Sequence, residues 1–486
     1  MQLPRNILAG LLGAVLLSGC ATKAPPTPAE IRQQSGTLTN LTLTNPWKAG
    51  AATGPIADNW LASFDDPQLN ALVVEALTNN PDLRIASTRV EQAAQYVELA
   101  KAAMRPALGL AGTGGYQAGG GGDISSALQG IMLAASWEPD LWGRLRYGRN
   151  AARETYASAR ADFEFARQSL AAATARSWFT ATETLLEEEV VGDMTNSAQQ
   201  LLSLAGKRQQ VGSGNEQDVI EARASLASFQ DSAAQIRLAH EQTLRALEVL
   251  LGRYPAAELK ARPDLVRLPG PVPAGMPLET LERRPDLIAA ERRVAAAFNR
   301  VGEAKTARLP RITLNVSAAA IDSQVLQLKS DYQNPTAGAG ARLVAPIYEG
   351  GALNTQVEIR TLEQKEAVAQ YAAMALRAIS DVENALASGK TLAERDQLLQ
   401  QSVADNQRLL ELVQTSYRVG KTDLRNVQQQ QLTLYTARLA LLRVQSEQLA
   451  QRVNLHLALG GSFENPPAPP AGVATIQTSM VPGGTH

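Results

Sequence analysis

The sequence contains two similar halves, and this internal repeat constrains the fold more than any other feature. The segment NPDLRIASTRVEQAAQYVELAKAAMRPAL (80–108) returns as RPDLIAAERRVAAAFNRVGEAKTARLPRI (284–312). Further along, Val211-Gly212 in the first half is matched by Val419-Gly420 in the second. Because a repeated sequence folds into a repeated structure, we expect the two halves to share one topology.

The repeat and the shifts in composition divide the chain into six predicted segments. The last segment contains many Pro and Gly residues and few large apolar ones, so it is expected to be disordered. The segments are a signal peptide (1–19), an N-terminal segment (20–63), the first repeat (64–261), a Pro-rich linker (262–277), the second repeat (278–461) and the tail (462–486).

Each half is predicted to contain a helix, two strands and two very long helices. The first long pair is predicted from about Gly143 to Gln210 and from Asn215 to Leu251, on apolar positions that step by three and four. A helix of nearly 70 residues is about 100 Å long. The last helix carries two apolar stripes, which indicates two neighbours, as in a ring of helices. An ordinary four-helix bundle is the alternative.

Strictly alternating segments predict strands with one apolar face. In RITLNVSA (311–318) and GIMLAASWE (130–138), every second side chain is apolar. Strands of about ten residues are long enough to cross a membrane when tilted, although a small soluble sheet shows the same alternation. If the strands cross a bilayer, the residues predicted to face lipid are Ile131, Leu133, Trp137, Ile312, Leu314 and Val316.

Four strands cannot close a barrel, and an open sheet edge is not tolerated in hydrocarbon. If the four predicted strands cross lipid, several chains must therefore share one barrel.

The N-terminus has the pattern of an export signal that ends in a lipid-attachment site. Arg5 precedes an apolar run, and Leu17-Ser18-Gly19-Cys20 resembles the bacterial lipobox, in which the cysteine thiol receives a diacylglycerol. Cys20 is the only cysteine in the chain, so a disulfide within one chain is excluded. The alternative is a buried structural cysteine behind a signal peptide. No cofactor is expected other than the covalent lipid at Cys20.

Composition argues against several other functions. The net charge is −1, which gives no electrostatic reason to bind nucleic acid. The three histidines are not spaced as metal ligands, and no nucleophile motif is present. We therefore expect neither an enzyme nor a nucleic-acid partner.

Several motifs together resemble the outer membrane factor (TolC-like) family. They are FDDPQLNALVVEALTNNPDLRIASTRVEQA (64–93), SWEPDLWGRLR (136–146), the matched Val-Gly turns and the lipobox. The closest resemblance is to the NodT-type lipoprotein branch, which serves resistance-nodulation-division (RND) efflux pumps.

This resemblance implies a mixed α/β membrane protein in the bacterial outer membrane. Three chains with four strands each would form a twelve-stranded transmembrane β-barrel, continuous with a long periplasmic α-helical barrel. Such a homotrimer is a passive exit duct for small molecules such as antibiotics. Its partners would be a periplasmic adaptor protein, an inner-membrane RND pump and outer-membrane lipid.

The resemblance also implies that the helix turns at the periplasmic tip form a closed gate. The family usually has an aspartate about nine residues past the glycine of the second Val-Gly turn, where this chain has Gln429. The ring of acidic side chains that the resemblance implies at the gate is therefore weaker here, or it is rebuilt from Asp218, Asp423 and Arg425. The alternative is that these are solvated turn residues. The gate candidates are Asp218, Asp423, Leu424, Arg425 and Gln429.

Two other functions remain compatible with these features. The same fold serves as the exit duct of type I protein secretion. A lipid-anchored coiled-coil scaffold without a pore would also contain long helices, although strict strand alternation argues against it.

Overall fold

A computed structural model describes residues 22–40, 43, 45–52, 54–113, 128–323 and 335–464. Two short 3₁₀ segments, Leu38–Asn40 and Trp60–Phe64, lie near the start. The helices are α1 (Pro28–Gln34), α2 (Pro67–Asn79), α3 (Pro81–Ala102), α4 (Arg144–Gln210), α5 (Glu216–Leu250), α6 (Pro277–Arg283), α7 (Pro285–Thr306), α8 (Ala352–Arg418) and α9 (Leu424–Ala458). The strands are β1 (Ala107–Thr113), β2 (Leu128–Trp137), β3 (Arg311–Ser323) and β4 (Thr336–Val344).

The helices repeat with equal lengths, which confirms that the two halves share one topology. Helices α3 and α7 each have 22 residues, α4 and α8 each have 67, and α5 and α9 each have 35. The predicted bounds of α4 and α5 agree with the structure to within one residue. Among the residues described, no helix is both long enough and apolar enough to span a bilayer.

Local chemistry explains where the helices begin and end. Asp66 caps α2 by accepting hydrogen bonds from the backbone N–H groups of Gln68 and Leu69, and Pro67 occupies the first turn. After α5, Gly252 has a φ of +71°, and a Cβ atom there would lie 2.7 Å from the carbonyl oxygen of Asn79. Glycine at this position therefore permits both the left-handed turn and the close approach.

The chain forms two compact units, and each unit takes residues from both repeats. The first contains the sheet, and its described residues fall within the ranges 22–40, 88–161 and 288–374. The second is assembled from the ranges 43–87, 162–287 and 375–464. Sequence repeats and compact units therefore divide the chain differently, because the 67-residue helices α4 and α8 each run through both units.

The second unit has a core of aromatic, aliphatic and small side chains. Trp178 and Phe179 on α4 are fully buried, and Phe179 contacts Phe64 at a ring distance of 5.2 Å. The indole Nε1–H of Trp178 donates to Asp66 Oδ2 at 2.9 Å, so the capping carboxylate also fixes the core. His456 is 3% exposed and stacks on Trp60, and burial lowers its pKa to about 4. It is a neutral, packed side chain.

The structure corrects the start of the predicted tail. Residues 462–464 are packed: Phe463 is buried in the core of the second unit, under the guanidinium of Arg167. Arg167 also pairs with Glu464 at 2.9 Å. Burial of a large aromatic side chain such as Phe463 is favourable. The prediction of disorder rested on the Pro-rich residues that follow it and did not take this side chain into account. The predicted disorder of residues 465–486 lies outside the described residues.

The predicted linker is also packed against its own unit. Val272 and Ala274 are buried, and the indole N–H of Trp47 donates to the carbonyl oxygen of Ala274 at 3.0 Å. The Pro-rich segment is therefore an ordered connection between the repeats.

Candidate functional site

The four strands form one antiparallel sheet in the order β1-β2-β3-β4. Directly opposite residues in such a sheet share a face. Leu133 lies opposite Leu110 and Ala318, and Trp137 lies opposite Leu314. The alternating apolar sets of the separate strands therefore fall on one common face. All six residues predicted to face lipid lie on it: Ile131, Leu133, Trp137, Ile312, Leu314 and Val316.

The opposite face of the sheet carries small and polar side chains. Thr313 pairs with Arg342, and Ser136 pairs with Asn315. Glycine and alanine occupy most of the other positions on this face, which is the pattern of a sheet between hydrocarbon and water. Val316 on the apolar face is 58% exposed and Leu110 is 72% exposed, so this face has no covering layer within the described chain.

The two outer strands each leave one edge unpaired within the described residues. β1 pairs only with β2, and β4 pairs only with β3. The edges of β1 and β4 therefore present rows of backbone N–H and C=O groups without a ladder partner.

Aromatic side chains mark the ends of the strands. The indole of Trp137 donates to the carbonyl oxygen of Met104 at 3.0 Å, and Trp142 donates to that of Pro310 at 2.6 Å. Tyr348 follows β4 and is 87% exposed. Tyr116 and Tyr332, which the sequence also places near predicted strand ends, lie outside the described residues.

Cys20 also lies outside the described residues, but the chain directly after it is placed. The N–H of Lys23 donates to the hydroxyl of Tyr147 at 2.9 Å, and a Cβ atom on Gly143 would lie 3.2 Å from the Thr22 methyl. Gly143 directly precedes α4, and Tyr147 lies in the first turn of this helix. Residues 22–23 are therefore held at the end of the sheet where β2 finishes.

The two Val-Gly turns connect α4 to α5 and α8 to α9. Gly212 and Gly420 adopt φ values of +74° and +77°. After each turn a polar side chain caps the next helix: Asn215 accepts from the N–H of Asp218, and Asp423 accepts from the N–H of Asn426. The backbone path is the same in both repeats.

The structure gives the gate candidates different environments. Asp218 is half-buried in the first turn of α5, whereas Asp423 and Gln429 are exposed. Leu424 is 1% exposed and belongs to the apolar core of its own chain. Arg425 is exposed and pairs with Glu221 at 3.2 Å, so its partner is neither of the two predicted aspartates.

Glu221 was not among the gate candidates predicted from the sequence, although the repeat indicates its position. It stands nine residues past Gly212, as Gln429 stands nine residues past Gly420. The first repeat therefore has an acidic residue at the position where the second repeat has Gln429. A hydrogen bond from Gln217, followed by the bond from Arg425, holds the pKa of Glu221 below its usual value.

Arg208 and Tyr417 form a second contact between the turns that the sequence did not reveal. The guanidinium Nη1 of Arg208 donates to the carbonyl oxygen of Tyr417 at 2.8 Å, and its carbon lies 4.6 Å from the ring centroid. Burial raises the pKa of the Tyr417 hydroxyl. Cation–π pairs of this kind contribute about 0.5–2 kcal/mol to stability. Arg208 therefore stabilises the contact between the two helix ends that precede the turns.

A carboxyl group lies partly buried between α4 and α9. Burial raises the pKa of Glu183 to about 7. The neighbouring carboxylates Glu187 and Glu447 raise it further, whereas Ser446 and Arg443 lower it. Glu187 itself is buried and accepts a hydrogen bond from Arg443 at 2.8 Å. No group of side chains with metal-ligand geometry occurs in the described part of the chain.

Comparison with known proteins identifies the class to which this sheet and these helices belong. The family "Outer membrane efflux protein" matches residues 72–253 and 276–461, one match for each repeat. The pyoverdine export outer membrane protein OpmQ of Pseudomonas putida is 31% identical over 483 residues, covering 96% of this chain and 99% of OpmQ.

A second relative and a solved structure agree with this assignment. The antibiotic efflux pump outer membrane protein ArpC of Pseudomonas putida is 27% identical and covers 94% of this chain and 96% of its own length. A crystal structure of CusC superposes with a TM-score of 0.77 at 25% identity, covering 87% of this chain and 98% of CusC.

The chain belongs to the outer membrane efflux protein family. It is an outer membrane channel of efflux pumps, it has the TolC-like fold with a periplasmic helical portion, and it is not an enzyme. The fold, the family and the channel function predicted from the sequence are thereby confirmed.

Proposed function

We propose that three copies of this chain form one twelve-stranded barrel in the outer membrane. The observation that carries the proposal is the four-stranded sheet, whose two outer edges have no ladder partner among the residues that the structure describes. Hydrocarbon does not tolerate unpaired backbone groups, and a closed barrel removes both edges. Three chains supply twelve strands, an even number within the range of such barrels.

In this barrel the apolar face of the sheet contacts lipid and the small polar face lines the lumen. Ile131, Leu133 and Val316 would then lie in hydrocarbon, while Asn315 and Arg342 would contact water. The common face observed for the apolar residues supports this orientation.

We further propose that Cys20 carries the lipid anchor. Cys20 precedes Thr22 by two residues, which is a reach of about 7 Å. Lys23 is fixed to Tyr147 where β2 leads into α4, so acyl chains on Cys20 would enter the membrane beside the sheet. Cys20→Ser should abolish labelling by a radioactive fatty acid, and labelling that persists would reject the lipobox assignment.

The turns at the ends of the long helices are proposed to close the channel. In a trimer each turn occurs three times around one axis. We propose that the exposed candidates Asp423, Arg425 and Gln429, with Asp218 and the newly found Glu221, connect neighbouring helices there. Leu424 is left out of the proposed gate because its side chain is buried in its own chain.

The partners proposed for the channel are a periplasmic adaptor and an inner-membrane RND pump, and its cargo is small molecules. The relatives OpmQ and ArpC are described as serving pyoverdine export and antibiotic efflux, which supports this class of cargo. A deletion strain tested against antibiotics, organic solvents and metal ions, with and without the gene restored, would identify the cargo. Unchanged susceptibility to all of them would reject small-molecule efflux.

Assembly is tested on the full-length chain purified in detergent. Light scattering should give the mass of three chains, each of 51.8 kDa before signal removal. A folded monomer would contradict the shared barrel.

A further inference from the structure

We propose that a cavity in the second compact unit binds a small amphipathic anion, whose charged group lies between Lys390 and Arg452. The apolar chain of this anion would lie against the walls of the same cavity. The site involves neither the sheet nor the Val-Gly turns, so the proposal does not depend on the trimeric barrel.

The cavity has a volume of about 470 Å³, which is within the range of small-molecule sites. Three parts of the second unit enclose it: residues 49–52, the linker near Val272, and the facing surfaces of α8 and α9. Its apolar walls are formed by Leu268, Val272, Ala385, Leu386 and Leu455.

Hydrogen bonds fix the walls of the cavity. The carboxylate of Glu383 on α8 accepts from the backbone N–H groups of Lys48 and Ala49, both at 2.8 Å. The N–H of Ala274 donates to the carbonyl oxygen of Ala52 at 3.4 Å. Because these contacts already hold the two chain segments in place, little further ordering would be needed when a ligand binds.

Two cationic side chains line the cavity, and neither has a carboxylate partner among the described residues. Arg452 on α9 is half-buried, and its Nη1 donates to the carbonyl oxygen of Gly270 at 2.8 Å. Lys390 on α8 is exposed to solvent. Burial lowers the pKa of Arg452. A cation that is partly removed from water without an opposite charge is unfavourable, and an anion in the cavity would offset that cost.

Comparison of the two repeats explains the space in the cavity. Helices α4 and α8 begin at Arg144 and Ala352, so a shift of 208 residues relates them. This shift carries the fully buried Trp178 to Leu386, which lines the cavity. Since a leucine side chain is much smaller than an indole, the second repeat has space beside α8 that an indole would fill.

The same comparison shows that the two cations are specific to the second repeat. The shift of 208 residues also relates α5 to α9, which begin at residues 216 and 424. Thr182 therefore corresponds to Lys390, and Leu244 corresponds to Arg452. Thr182 is 2% exposed and Leu244 is 4% exposed. The shared fold thus requires no cation at either position, which supports a role in binding.

The chemistry of the cavity favours an anion with a short apolar chain. A guanidinium group and an ammonium group can both donate to one carboxylate or phosphate. The leucine and valine side chains of the walls favour an apolar body. A bound anion would connect the linker, through Arg452 and Gly270, to Lys390 on α8, and it should therefore stabilise the second unit.

Hexanoate binding to the full-length protein in a non-ionic detergent, measured by isothermal titration, tests the proposal. The parent should bind hexanoate more tightly than acetate, which lacks the apolar chain, and more tightly than hexylamine, which has the opposite charge. Lys390→Gln and Arg452→Gln should each weaken hexanoate binding about tenfold, as expected for the loss of one hydrogen bond to a charged group.

The control for charge is Arg395→Gln, at an exposed site on α8 that does not line the cavity. This variant should bind hexanoate like the parent. Hexanoate partitions into the detergent micelles equally for all variants, so differences between them report on the protein.

Two substitutions fill the cavity without changing its charge. Leu386→Trp introduces the side chain of the first repeat, and Gly389→Leu adds a side chain at a lining position where a Cβ atom meets nothing within 4 Å. Both should abolish hexanoate binding. Gly192→Leu is the control, because this glycine of α4 is equally open and lies outside the cavity. If Leu386→Trp does not fold, Gly389→Leu decides the result.

Three results would overturn the proposal. The first is a parent protein that binds hexanoate no better than acetate or hexylamine. The second is hexanoate binding that persists when the cavity is filled. The third is inorganic phosphate that binds as tightly as hexanoate in the parent and in the filled variants, which would indicate a contact with exposed cations outside the cavity. A monomeric chain that binds hexanoate as expected would reject the trimer and retain this site.

Discussion

The two repeats have equivalent strand pairing in the sheet but different side-chain contacts at the helix turns. In the sheet, the pair Leu110–Leu133 of the first hairpin has its counterpart in Leu314–Ala341 of the second. At the turns the backbone path is repeated, yet Glu221 in the first repeat corresponds to Gln429 in the second. Its partner Arg425 has no basic counterpart in the first repeat.

This difference follows from what each region has to satisfy. A closed barrel imposes the same tilt and shear on every hairpin, so the two hairpins cannot diverge in register. The turns have no such constraint, because a helix end needs only a cap and a left-handed glycine. Side chains at the turns can therefore specialise, and contacts such as Arg208–Tyr417 and Arg425–Glu221 join one repeat to the other.

The largest expected effect concerns the two faces of the sheet. Leu314→Arg places a charge on the apolar face, and it should disfavour insertion by roughly 2–4 kcal/mol if the site lies near the bilayer midplane. Asn315→Arg, one residue along on the polar face, should be mild. Trimer yield in outer-membrane fractions measures both variants, and equal losses would show that the two faces do not differ in their contact with lipid.

A second prediction concerns a close contact without a repeat counterpart. A Cβ atom on Gly302 of α7 would lie 2.5 Å from the ring of Tyr147. Gly302→Ala should lower stability by about 1–3 kcal/mol because the ring cannot yield in a packed site. Gly148→Ala is the control, since its Cβ atom would meet only the flexible carboxylate of Glu303. The thermal midpoint of the trimer in detergent reports both, and a similar midpoint for the two variants would contradict the prediction.

A third prediction concerns pH and a carboxyl group present in one repeat only. The pKa of Glu183 is raised to about 7, and Thr391 occupies the corresponding position on α8. The folded state holds this proton more tightly than the unfolded state, so stability should fall as the pH rises from about 4.5 to 7.

Glu183→Gln should remove this part of the pH dependence. Its thermal midpoint should exceed that of the parent at pH 8, and the difference should shrink towards pH 4.5. Glu189→Gln, at an exposed site on the same helix, should follow the parent at both pH values. A Glu183→Gln variant with the parent's pH profile would show that burial does not perturb this carboxyl group.

The smallest effect is expected at the turns. Glu221→Gln removes the charge paired with Arg425, and an exposed ion pair contributes little because solvent screens it. Because the pair occurs three times around one axis, its loss should still raise single-channel conductance at low salt. High salt screens the pair and should reduce the difference in conductance between variant and parent. Glu216→Gln, exposed at the start of the same helix, is the control.

Acid provides a second test of the same pair. The pKa of Glu221 is lowered, so the pair is fully present above the usual carboxylate range and is lost as the pH falls through the lowered value. Acid should raise the conductance of the parent towards that of Glu221→Gln. A conductance that is identical in parent and variant at low salt would mark the pair as an ordinary surface contact.

The sequence by itself determined the repeat, the long helices and the strands. Helix periodicity over 67 residues and strict alternation over eight are strong local signals, because each depends only on which face of an element is apolar. The alternation also assigned Leu314 and Asn315 to opposite faces before any strand pairing was known.

Only the tertiary structure decided which charges pair and which single apolar residues are buried. Arg425 was predicted to form one charged group with Asp218 and Asp423, but helix packing brings it to Glu221. Leu424 and Phe463 stand in polar or Pro-rich surroundings, yet both are buried. Such contacts join residues that are tens to hundreds of positions apart, and the sequence near each residue contains no signal of its distant partner. The pairing of β2 with β3 is likewise a long-range contact, and its register becomes known only when both strands are placed in one sheet.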